Sequence, residues 1–183
     1  MWGKLLILTS STVVYDNNEA EKTCFNLFYD SYSKETVTLY GSCINEINVD
    51  EGWCIVECAT CNIDLLIKLD YLIKECSIKV TKVNNTWKEH GHTSSFVCIV
   101  SHPHDFPKQV TMGYWKDKEV VQESKGIEYT RYQYTTPTCH GSAGAFVYIL
   151  GVSDISAKHY HVYLGVRNVG YNYCSTGKER KNQ

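Results

Sequence analysis

The sequence predicts an all-β fold, and three observations carry that expectation. Short runs rich in Val, Ile, Tyr, Phe and Thr recur along the 183 residues, polar breaks separate them, and there are only three prolines. β-branched and aromatic side chains suit a pleated, half-buried surface, and fourteen tyrosines add to that bias. With 43% hydrophobic residues, the chain has enough apolar material for one sizeable core or for two small barrels sharing an interface.

Taken in order, the candidate strands are Leu5–Leu8, Phe25–Tyr29, Val37–Tyr40, Trp53–Glu57, Phe96–Ser101, Val110–Tyr114, Tyr129–Tyr134, Ala145–Leu150 and His161–Val166. Asn17–Cys24 reads as one or two helical turns capped by Asn17 or Asn18. Ile63–Ile73 is almost continuously apolar and fits either a fully buried strand pair or a buried helix. The polar stretch Val83–Ser95 is the expected passage from one half to the other. It divides the chain into a first barrel over about residues 1–85, a second over about 96–174, and a solvated tail over 175–183.

A formal net charge of -2, with Lys and Arg scattered, leaves no electrostatic footprint for nucleic acid or an anionic membrane. Leu5–Leu8 is too short for a secretory core or a membrane span. The nine cysteines are odd in number, in a chain longer than small disulfide scaffolds; they read as reduced thiols and suggest an intracellular setting. No cofactor is expected.

The chemically informative segment is Thr135–Phe146, TTPTCHGSAGAF. Acyl transfer by a serine needs a nucleophile on a tight turn, backbone N–H groups aimed at the developing oxyanion, a histidine base and a carboxylate that holds it. Gly141-Ser142-Ala143-Gly144 offers two glycines three apart, running into the apolar stretch Ala145–Leu150. Without further support this is a glycine-rich hairpin or bulge before a strand.

The segment resembles the active-site loop of trypsin-like serine peptidases, whose Gly-x-Ser-Gly turn enters a strand in the same way. Matched glycine to glycine, the resemblance places Gly141 at the oxyanion position and Ala143, with only a methyl group, at the nucleophile position. Leu8-Thr9-Ser10-Ser11-Thr12-Val13-Val14 is similar to the segment carrying the family's histidine, with Thr12 in the histidine's place. Asp64-Leu65-Leu66-Ile67 is similar to the strand that supplies the carboxylate, and Val162–Gly170 to the late strand that pairs with substrate. His140, Gly144, Asn168 and Gly170 then line the cleft.

The resemblance implies a double β-barrel. Because the family has a strand or two before its histidine segment, Thr12 so early implies a shortened first barrel or a piece of a longer polypeptide. With base and nucleophile both replaced, the implied function is non-catalytic: a pseudo-peptidase holding an extended polypeptide or protein partner in the former cleft, for instance by β-augmentation.

Two alternatives remain open in the sequence. Ser142 is a displaced nucleophile if His102, His104 or His140 serves it as base, although placement tolerances near one ångström weigh against this. A Gly-x-Ser-x-Gly elbow is excluded, because His140 lies two before Ser142 and a strand follows. Alternatively, Cys54, Cys58, Cys61 and Cys76, with His90 and His92, hold a zinc ion in a β-rich structural domain.

Overall fold

A computed structural model describes residues 2–89, 95–152, 159–162 and 171–180. The chain is mostly β, in two curled antiparallel sheets that form half-barrels. The first sheet contains β1 (Gly3–Ser10), β2 (Cys24–Leu27), β3 (Val37–Asn48) and β4 (Trp53–Thr60), in the order β1-β4-β3-β2. The second contains β5 (Phe96–Ser101), β6 (Gln109–Ser124), β7 (Ile127–Tyr134), β8 (Val147–Ile149), β9 (His161–Val162) and β10 (Asn172–Cys174) in the order β8-β5-β6-β7-β10-β9, with β11 (Gly177–Arg180) also paired to β7. Register shifts in β3, between Gly41 and Cys43 and between Ile44 and Glu46, are the bulges that bend a long strand and curl its sheet.

The nine expected strands all overlap observed ones, but the helical parts differ. In α1 (Asn17–Lys22) the cap is Asp16, not Asn17 or Asn18. Asp16 Oδ1 accepts from Glu19 N at 2.8 Å, and Glu19 Oε2 accepts from Tyr15 N at 2.7 Å. Glu19 thereby returns a bond to the backbone just before the cap that holds it.

The ambiguous segment opens a 27-residue helix, α2 (Ile63–Glu89). Asn62 Oδ1 caps it by accepting from Leu65 N at 3.0 Å. Leu65 and Leu69 pack against Leu5, Ile7, Leu39 and Cys58 of the first sheet. A helix therefore packs on the first sheet, which decides the ambiguity of Ile63–Ile73 in favour of helix. It also corrects the strand containing Asp64: this carboxylate is exposed in the first helical turn, where negative charge favours the helix dipole. Val83–Glu89, expected to be a linker, forms the last turns of α2. Buried Asn84 there accepts from Tyr148 Oη and Gly151 N, both at 2.9 Å, and ties the helix to the end of β8.

The second core gathers Val97, Ile99, Tyr132, Tyr134, Val147, Ile149 and Cys174. The expected solvated tail is corrected too, since Gly177–Arg180 is the strand β11, with Gly177 opposite Thr130 and Glu179 opposite Glu128. Glu179 is the reason. Its carboxylate, only 9% exposed, bonds Lys118 Nζ at 3.0 Å and accepts from Thr130 Oγ1 at 2.5 Å, while Lys118 also bonds Glu128 at 2.8 Å.

All nine cysteines are free thiols. Cys54 and Cys58 are buried in β4, whereas Cys61 and Cys76 are exposed; His90 and His92 lie outside the described residues. Among the described residues no group of three or more His, Cys, Asp or Glu is placed to hold a metal ion, and no helix is long and apolar enough to cross a membrane.

Glu179→Ala is expected to lower the free energy of unfolding by about 1–3 kcal/mol, because it leaves the half-buried Lys118 with one carboxylate and takes from Thr130 the shorter of its two side-chain hydrogen bonds. Urea denaturation of the variant beside the parent measures this.

Candidate functional site

Where β1 ends, the chain folds back at once. Val13 N donates to Ser10 O at 3.0 Å, Thr12 N donates to Ser10 Oγ at 3.2 Å, and the Ser10 and Thr12 hydroxyls lie 2.8 Å apart. Thr9, Ser10 and Ser11 are buried by this turn, and Thr12 and Val13 are left exposed. A hydroxyl-rich string suits the place, because its side chains satisfy the turn's own backbone.

On the other unit, Cys139–Ala145 makes two successive turns, with Ser142 N donating to Cys139 O at 3.0 Å and Ala145 N to Ser142 O at 3.1 Å. Each contains a glycine in the left-handed region, Gly141 at φ +90° and Gly144 at φ +85°. A Cβ on Gly144 would sit 2.4 Å from Thr9 Oγ1 and 3.1 Å from Ser10 N; one on Gly141 would sit 2.9 Å from His102 O. The absent side chain at residue 144 is what lets the second unit press against the end of β1.

That approach sets Thr12 and Ala143 on one hollow of about 360 Å³, shared with Val13, Cys139, His140 and Gly141. The N–H groups of Gly141 and Ala143 donate no hydrogen bond within the described residues. Two free donors two residues apart, on a glycine turn facing a hollow, suit an oxygen acceptor such as a carbonyl. The Thr12 hydroxyl is not a general base at neutral pH, and the Ala143 methyl is not a nucleophile.

Ser142 does not line the hollow. It is 1% exposed; its Oγ lies 3.2 Å from Ser101 Oγ and accepts from Cys139 N at 3.4 Å, and none of its hydrogen bonds involves a histidine. The other named histidines are engaged elsewhere. His104 N donates to His140 O at 2.8 Å and the two rings stack 6.5 Å apart, while the His102 ring stacks on Tyr29 at 5.5 Å. His104 and Asp105 both have positive φ, 53° and 61°, a strained pair braced by that backbone bond beneath Gly141.

Of the residues picked from sequence, Thr12, His140, Gly141 and Ala143 come together, and Gly144 holds them so. Asp64 does not join them, and Asn168 and Gly170 lie outside the described residues.

Sequence reasoning missed two supports. Ser101 anchors Ser142, with only its place at the end of β5 to mark it. His161 fixes Gly144: its carbonyl accepts from Gly144 N at 2.8 Å and its N–H donates to Ala145 O at 2.7 Å. The Tyr134 hydroxyl donates to Tyr173 O at 3.0 Å, so His161 Nδ1, 2.7 Å from the same oxygen, is the protonated nitrogen and donates to it. Burial lowers the His161 pKa to about 4. No family profile matches the chain, and no curated protein matches it in sequence.

Gly144→Ala is expected to cost at least about 2 kcal/mol of stability, since it adds left-handed strain to a clash with backbone and a buried hydroxyl. Gly126, with φ +76° and nothing near its Cβ position, is the control. Gly126→Ala carries the strain alone, so the difference between the two unfolding curves isolates the contact.

His161 adds a pH dependence of known sign. Its folded pKa, about 4, lies below the ordinary 6.5, so the unfolded chain takes the proton more readily. The stability contributed is complete above pH 6.5 and falls as pH drops through 6.5 towards 4, by up to roughly 1.4 kcal/mol per pH unit. Urea midpoints across this range read the loss, and the His161 ring resonance stays at its neutral position at about pH 5.5.

Proposed function

We propose that this protein is a degenerate trypsin-like serine peptidase, a pseudo-peptidase that holds an extended polypeptide or protein partner in the hollow between its two sheets. The observation that carries the reading is the meeting of Thr12 and Ala143, far apart in the chain, on one hollow with the unpaired N–H groups of Gly141 and Ala143. Those are the base, nucleophile and oxyanion positions that the resemblance assigns. The first sheet of the proposed fold has four strands, and α2 takes the place of the remainder.

The reaction is lost at both ends. A threonine hydroxyl does not take a proton at neutral pH, and a methyl group does not attack a carbonyl. What the site retains is recognition: two backbone donors for a carbonyl oxygen, with the His140 and Cys139 side chains at the rim. Nine free thiols suit a reducing compartment, and we place the protein inside the cell on that ground.

A fluorophosphonate probe is expected to leave the protein unlabelled, while extended peptides shift the amide resonances of Gly141 and Ala143. Labelling that disappears in Ser142→Ala would show an active hydrolase with a displaced nucleophile and overturn the proposal. Peptide binding that leaves those two amides unmoved would overturn the assignment of the hollow.

A further inference from the structure

A second cavity, also about 360 Å³, lies between α2 and the second unit. One wall is the stretch of α2 from Leu69 to Val80, through Leu72, Ile73 and Cys76; the other is Phe146 and Tyr160, which face each other across an isolated β-bridge with ring centres 5.9 Å apart. It shares no lining residue with the hollow.

Three properties of this groove bear on what fits it. Its lining side chains carry no formal charge, so a bare ion placed there loses hydration without a partner. Leu72 and Ile73, at its edge, remain 42% and 55% exposed, which is apolar surface left against water. Tyr160 brings the only side-chain oxygen.

That tyrosine is nine-tenths buried, yet its hydroxyl has no hydrogen-bond partner among the described residues. Burial pushes its pKa up to about 12, so it stays protonated and is a donor that solvent alone satisfies. Leu69 to Val80 spans roughly 16 Å of helix, and the volume falls at the small end of the range for small-molecule sites.

We infer that this groove binds an uncharged single-chain amphiphile, such as a fatty alcohol or acyl ester, whose chain lies along α2 and whose oxygen accepts the Tyr160 hydroxyl. The apolar walls supply affinity in proportion to the area they cover. The hydroxyl supplies the choice: an alcohol or ester oxygen meets its donor, a hydrocarbon leaves it unpaired, and a carboxylate brings a charge that no lining residue offsets.

The test uses the full chain and the uncharged fluorophore N-phenyl-1-naphthylamine, with 1-dodecanol, dodecane and dodecanoate as competitors. Saturable fluorophore binding is expected, with 1-dodecanol displacing it about tenfold more effectively than either competitor. Tyr160→Phe removes only an unpartnered hydroxyl and is expected to bring 1-dodecanol down to the level of dodecane, a tenfold loss equal to about 1.4 kcal/mol. Leu72→Glu, or Ile73→Glu as a second variant at a more exposed position, is expected to abolish binding with the circular dichroism unchanged. Bound 1-dodecanol is also expected to slow alkylation of the groove's exposed thiol, Cys76. Absence of saturable binding, or binding that survives both glutamate variants, overturns the site. Dodecanoate competing as well as 1-dodecanol, or undiminished 1-dodecanol binding in Tyr160→Phe, overturns the ligand class.

Discussion

The fold turns on one close approach, that of the Gly144 backbone to Thr9 and Ser10 at the end of β1. The hollow exists because of it, since Thr12 belongs to one sheet's margin and Ala143 to the other's. The approach is held from behind. His161 fixes the peptide groups of Gly144 and Ala145, and its ring is fixed in turn by Tyr134 and Tyr173 through a chain of hydrogen bonds in the second unit's interior. A glycine here removes a side chain so that two cores can touch, and only then does its positive φ become useful.

Much of this was legible in the sequence, for different reasons at different places. The strands could be read because β-branched and aromatic residues repeat in short bounded runs, and Phe96–Ser101 was located to the residue. The glycine turn could be read because two φ-permissive residues at fixed spacing before an apolar run describe a backbone path nearly on their own. Thr12 was found only through its order relative to that turn, since LTSSTVV by itself describes many strand ends.

What could not be read depended on contacts distant in sequence. Ile63–Ile73 is apolar enough for either secondary structure, and its partners Leu5, Ile7 and Leu39 decide for helix from outside the segment. That decision moved Asp64 to an exposed first turn. The tail looked solvated because Lys178, Glu179, Arg180 and Lys181 are all charged, but a charge is tolerated in a sheet when its counter-charge waits there, and Lys118 sits 61 positions away. His161 resembles any strand histidine until Tyr134 is placed beside it.

The pairing of β11 with β7 has a consequence for how the molecule comes into being. The strands of the first sheet and α2 all lie within residues 3–89, so that unit has its partners before the second sheet is made. The second sheet waits: β6 and β7 emerge long before β10 and β11, and Lys118 carries its charge with Glu128 alone until Glu179 appears. The hollow waits longer than either of its walls, since Gly144 is not fixed until His161 has been added. The hollow is therefore a late feature of the growing chain, formed only after both of its surfaces have been made separately.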